Sequence, residues 1–149
     1  MVSILNLLTK LKNLLESKED LENVNFILNF NNSFVPRPFV KPTVVIGVKS
    51  INIKNGPFSG YIGTHKNTEY FGSEGNFNLS FNIYVPKIIG SEENFIIFQK
   101  IYSALIFNEE NISVLSLLAK EIKFDSDIGT FSLECETLIF SLILFEESG

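Results

Sequence analysis

Apolar residues recur at two different periods along this chain, and the changes between them mark out its elements. From Ser3 to Ser17 the apolar positions are Ile4, Leu7, Leu8, Leu11, Leu14 and Leu15. That is the i, i+3, i+4 stripe of a core-packing helix, with Ser3 placed to cap it. Val24, Phe26, Leu28 and Phe30 then alternate with Asn23, Asn25 and Asn29, which predicts a strand with one wet face. Phe34-Val35-Pro36-Arg37-Pro38 cannot continue a central strand, because proline donates no ladder hydrogen bond, so a stiff extended turn is expected there. A second strand, rich in β-branched residues, is expected from Thr43 to Ile53.

Between Lys54 and Gly75 the pattern dissolves. Gly56, Gly60, Gly63, Gly72 and Gly75 are interleaved with Phe58, Tyr61, Ile62, Tyr70 and Phe71. The reading here is an irregular stretch, either a twisted hairpin folded back on its own domain or an arm that meets a partner. Period two then returns, with Phe77, Leu79, Phe81, Ile83 and Val85 facing one way and Asn76, Asn78, Ser80, Asn82 and Tyr84 the other. Pro86 and Gly90 stop that strand. Ser91, followed by Glu92 and Glu93, is placed to cap a second helix whose buried stripe is read as Phe95, Phe98, Ile101, Tyr102 and Leu105.

The last third reads mostly as strand, although Val114 to Ile122 also fits a short helix. Lys120 to Phe124 is expected to be extended, and Ser126-Asp127-Ile128-Gly129 to turn. A long final strand is expected from Thr130 to Phe145. Its apolar parity moves from Phe131, Leu133 and Cys135 to Leu138, Phe140, Leu142 and Leu144, which implies either a β-bulge or burial on both faces beyond Thr137. The order is α-β-β-β-α-β-β. The fold class expected is α+β, a mixed or antiparallel sheet carrying an N-terminal helix and a second helix, with a long hairpin arm.

Composition narrows the functional classes. The 149 residues are 45% hydrophobic with a positive mean hydropathy, enough for one domain with its own core over 1–149. The net charge of −5, with Arg37 the single arginine, lacks the basic patch of a nucleic-acid binder. No apolar run nears the ~18 residues that cross a bilayer, and Met1-Val2-Ser3-Ile4 has no basic leader, so no membrane partner and synthesis in the cytoplasm are expected. One cysteine forms no internal disulfide.

Candidate chemistry is sparse. His65 and Cys135 are the only histidine and cysteine; a Cys–His nucleophile would need them adjacent, and two such ligands do not make a zinc site. Cys135 falls on the apolar parity of its strand, the position of an inert buried thiol. Glu134 and Glu136 share a strand face at a spacing glycosidases use, but they alternate with core residues as a solvated face does. Asp125 and Asp127 flank a turn without the further oxygens of a calcium loop. Neither GxGxxG nor GxxxxGK[ST] occurs. No catalytic residue, metal or cofactor is therefore assigned.

The layout carries a further indication. An amphipathic helix leads into a strand, a proline-bearing turn and a hairpin with a long arm. Phe81-Asn82-Ile83-Tyr84-Val85-Pro86 then breaks at Gly90 into the helix Phe95 to Phe107, and Glu121-Ile122-Lys123-Phe124-Asp125 and Thr130 to Phe145 close the domain. This order, over nearly the whole chain, resembles the tail terminator proteins of bacteriophages and of contractile particles such as R-type bacteriocins. The resemblance implies a homohexameric ring on the end of a tail tube. Such a ring stops tube and sheath polymerisation and offers a docking surface to the collar or head connector. Its partners would be itself, the tail tube protein, the sheath protein and a collar or head-connector protein. The surface expected to meet a neighbour or the tube is the arm, at Tyr61, Ile62, His65, Tyr70 and Phe71. Two other functions fit the same residues: another ring-forming tail or baseplate component, and a small-ligand-binding α+β domain.

Overall fold

A computed structural model describes residues 4–29, 37–55, 61–66, 68–108 and 112–148. The elements run α1 (Ile4–Glu16), a 3-10 turn (Glu19–Leu21), β1 (Asn25–Leu28), β2 (Thr43–Asn55), β3 (Tyr61–His65), β4 (Thr68–Pro86), α2 (Glu92–Ile106), β5 (Ser113–Asp125) and β6 (Thr130–Ser148). The fold is α+β: a six-stranded mixed sheet of order β1-β2-β4-β6-β5, with β3 paired to β4 and both helices on the sheet. Among the described residues only β1 and β2 pair in parallel; the other pairs are antiparallel.

The core forms where the period-two and period-3.6 faces meet. Leu7, Leu8, Leu11 and Leu15 of α1 are buried, as their spacing requires. They pack in one cluster with Phe77, Leu79, Phe81, Ile83 and Val85 of β4 and with Leu133, Cys135 and Ile139 of β6. The N-cap assigned to Ser3, the strand end at Phe30 and the turn at Phe34 to Pro36 lie outside the described residues.

Three expectations change. Within the glycine-rich stretch the described residues are regular, as the hairpin alternative has it: β2 continues to Asn55, and β3 and the start of β4 form a hairpin. Gly72 and Gly75 pair inside β4 with Leu144 and Ser141 of β6. Gly56, Phe58 and Gly60 lie outside the described residues. Ser91 has helical backbone angles and its side chain makes no capping bond. The buried side of α2 is Asn94, Ile97, Ile101, Ala104 and Leu105; Phe95 and Tyr102, assigned to it from the sequence, point outward, and Phe98 is partly buried. A helix apolar nearly all round has no periodicity to name its inner face, so docking on the sheet decides it.

The parity switch in β6 is resolved without a bulge in that strand. β6 pairs with β4 in one unbroken register from Thr130↔Pro86 to Ser148↔Thr68. Leu138 and Phe140 lie on the face away from the helices and are half-buried, so the outer face of β6 itself changes from Ser132, Glu134 and Glu136 to apolar residues. The bulges are in β5, where the register shifts between Val114 and Ser116 and between Ala119 and Ile122. β5 is nonetheless one strand from Ser113 to Asp125, and the helix alternative for Val114 to Ile122 is excluded. The buried Thr137 hydroxyl uses the first bulge, donating to the Ser116 carbonyl at 3.0 Å.

Candidate assembly surfaces

β4 and β6 are nineteen residues each, roughly 60 Å at about 3.3 Å per residue. The helices cover one end of this pair. Among the described residues the buried cluster stops at Phe77 and Ile139. Beyond it, on the same side of the sheet, Ile51 and Ile53 of β2 are 39% and 47% exposed. Lys49 lies at the register shift between Val48 and Ser50, which gives Ile51 the parity of Phe77. Farther out β2 ends at Asn55↔Ser73, and β3 takes over the same flank of β4 from Tyr61↔Phe71 to His65↔Thr68. The result is a three-stranded ribbon, β3-β4-β6, closed after His65 by a tight turn in which Lys66 has φ 50.

The five residues assigned to the arm all fall on this ribbon. Tyr61 pairs with Phe71, Tyr70 pairs with Gly63, Ile62 lies at the register shift between Tyr61 and Gly63, and His65 is the last residue of β3. The backbone alone of these five is described, and it brings them onto two adjacent strands at one end of the molecule. Sequence reasoning missed the ribbon's regularity, since glycine and polar residues carry no alternation.

It missed a second surface altogether. The outer side of α2 presents Phe95, Tyr102 and Ile106, 51%, 46% and 42% exposed, and Phe107 follows at 77%. The signal was present in the excess of apolar residues over what one helix face can bury. The edges at β1 and β5 offer less. β1 is four residues long, and β5 is broken by two register shifts and carries Lys120 and Lys123, devices that blunt strand addition.

The residues tested for chemistry are dispersed or neutralised. His65 pairs at Thr68 and Cys135 at Phe81, roughly 40 Å apart along β4 at about 3.3 Å per residue, so they do not form a pair. Cys135 is buried, and burial pushes its thiol up to about 12. Glu136 accepts a 2.7 Å contact from Lys49 and lies 3.5 Å from Lys120, which is also 3.6 Å from Glu134. The hydrogen bond from Lys49 holds the Glu136 carboxyl below its usual range, the opposite of what a general acid needs. Asp125 accepts from the backbone N–H of Asp127 at 3.0 Å and so builds the turn. Among the described residues no three His, Cys, Asp or Glu cluster as metal ligands, and no helix is long and apolar enough to cross a membrane. No protein-family model and no curated protein matches the chain.

Proposed function

We propose that this protein is a structural assembly component that forms a ring on the end of a tail tube, ends tube and sheath growth and offers a docking surface to the collar or connector. The observation that carries the reading is the ribbon. Strands of this kind gain lasting stability from a layer packed on an apolar face. The helices' cover is described as far as Phe77 and Ile139, and in this reading another subunit or the tube packs on the ribbon beyond it. The N-terminal helix, the mixed sheet with its hairpin arm and the second helix support the resemblance to tail terminators, from which the tube is taken as the partner, while β3 adds a strand to the expected order. A ring built this way uses heterologous contacts, one surface of each subunit meeting a different surface of the next.

The test is to shorten the ribbon and look at tails. Lys54 and Glu74 are paired, so an Asn-Gly turn between them deletes residues 55–73 while keeping the inner register. The shortened chain is expected to fold, to leave tube ends bare in electron micrographs and to give overlong tails. Tails of normal length with normal ends would overturn the proposal.

A further inference from the structure

Edge strands are blunted in native proteins, because their unpaired N–H and C=O groups recruit other chains. Three edges of this sheet carry such devices. β1 is four residues long, and β3 is five residues long with a register shift between Tyr61 and Gly63. β5 has two register shifts and carries Lys120 and Lys123. The outer part of β6 has none of these. β5 pairs with β6 only as far as Ser113↔Phe140, whereas among the described residues β6 continues to Ser148 against β4 alone. From Ser141 to Ser148 its register with β4 is unbroken, and the sequence Ser-Leu-Ile-Leu-Phe-Glu-Glu-Ser has neither proline nor lysine.

The stop in β5 is itself built. Asn108 Oδ1 accepts from the Ile112 N–H at 3.0 Å, and Asn108 Nδ2 donates to the Ile112 carbonyl at 2.8 Å. One amide side chain thus takes both backbone groups of the residue that would carry β5 on opposite Ser141. Alternate residues of an antiparallel strand turn both backbone groups to the same flank, so Ser141 to Ser148 leave a row of donors and acceptors facing away from β4.

We infer that a second copy of this chain pairs here, β6 against β6, antiparallel about a two-fold axis. The other described edges are too short or too irregular to match this one, and antiparallel pairing is the more stable kind. Residues directly opposite one another share a face of the sheet, so such a pair centres on one residue. Centred on Leu144, it sets Ile143 opposite Phe145 and Leu142 opposite Glu146 of the second copy, and no carboxylate meets another. The contact is isologous and closes at two copies. It goes beyond the ring reading, because it concerns the free chain and requires nothing of a tube.

The experiment uses the full-length chain and measures self-association by sedimentation. A dimer is expected. Leu144→Lys sets two like charges opposite each other at the axis and is expected to weaken the dimer about fivefold, whereas Leu142→Lys sets lysine opposite Glu146 and is expected to tighten it about twofold. Both variants put a lysine on the same face of the same strand, so a general cost to folding would move them together. Under mild oxidation by dissolved oxygen with copper-phenanthroline, Leu144→Cys is expected to link to itself. Leu142→Cys is expected not to, since its two copies would lie roughly 13 Å apart along the strands. Cys135 is buried and does not compete. A chain that stays monomeric, equal effects of the two lysines, or equal self-linking of the two cysteines would each overturn the inference. Dimers with Leu144 self-links but bare tube ends would uphold it and sink the tube-cap reading, and capped tubes from a strictly monomeric free chain would do the reverse.

Discussion

Near the helices, β4 runs from Phe77 to Val85 with every core-side residue buried beneath α1 and α2. Farther out, from Thr68 to Glu74, the same strand keeps partners on both flanks while the described core has ended. Backbone pairing thus continues past the last core side chains described. A ladder hydrogen bond exchanges one made with water and nets about 1 kcal/mol, whereas burying a Phe or Ile side chain contributes roughly 1.5–3 kcal/mol. The helix-covered half thus holds most of the described stabilisation of the fold.

The largest expected effect breaks the covered half. Phe81→Ala removes a side chain 1% exposed and should lower unfolding free energy by about 3–5 kcal/mol in denaturant titration. Ile53→Ala in the free chain should cost about 1 kcal/mol or less, because half the side chain is already in water. Equal losses at the two sites would erase the contrast.

Next comes Asn94, the polar residue buried on the inner side of α2. Its Nδ2 donates to the carbonyls of Ile83 at 3.0 Å and Phe131 at 3.3 Å, tying the helix to β4 and β6, while its Oδ1 accepts nothing among the described residues. Asn94→Ala should destabilise by about 1–3 kcal/mol, as both carbonyls lose a donor. An unchanged melting curve would show that apolar contacts alone dock α2.

The pattern of α2 shows where the sequence stopped being informative. α1 was legible because Asn6, Thr9, Lys10 and Asn13 separate its leucines into one stripe. α2 reads Phe-Ile-Ile-Phe, then Ile-Tyr and Leu-Ile-Phe, so several faces are equally apolar and one of them had to be left in water. β4 was legible from Asn76 to Val85 for the same reason as α1, and illegible before Gly75 because its ladder there is made of main-chain groups that every residue shares.

A smaller effect appears only in alkali. Folding raises the Cys135 thiol from 9.0 to about 12, so its contribution is fully present below pH 9 and is lost as pH climbs toward 12. Stability of the parent should fall across that window more steeply than that of Cys135→Ala; Tyr84, raised mainly by burial, adds a slope of the same sign to both. Parallel curves would place Cys135 in water. The smallest effect is on the outer face, where Lys49→Ala should let Glu136 titrate closer to 4.5 by NMR. Because folding lowers that carboxyl, its small contribution is present above about 4.5 and disappears as pH falls through the folded value. No change would mean that the Lys49 contact is not held in solution.

By itself the sequence determined the elements whose residues alternate: α1, the inner halves of β4 and β6, the turn at Ser126 to Gly129, and the α+β class they add up to. It also settled that its lone histidine and lone cysteine have no second copy to work with. The tertiary structure decided which side of α2 faces the sheet, that β6 runs straight through its change of parity while β5 takes the bulges, and that the described part of the glycine-rich stretch, from Tyr61 on, is a paired ribbon. These were choices between local patterns of nearly equal free energy, and a local pattern cannot rank them. Only contacts made across the fold, at Ile83, Phe131 and Ser116 among others, tell one from another.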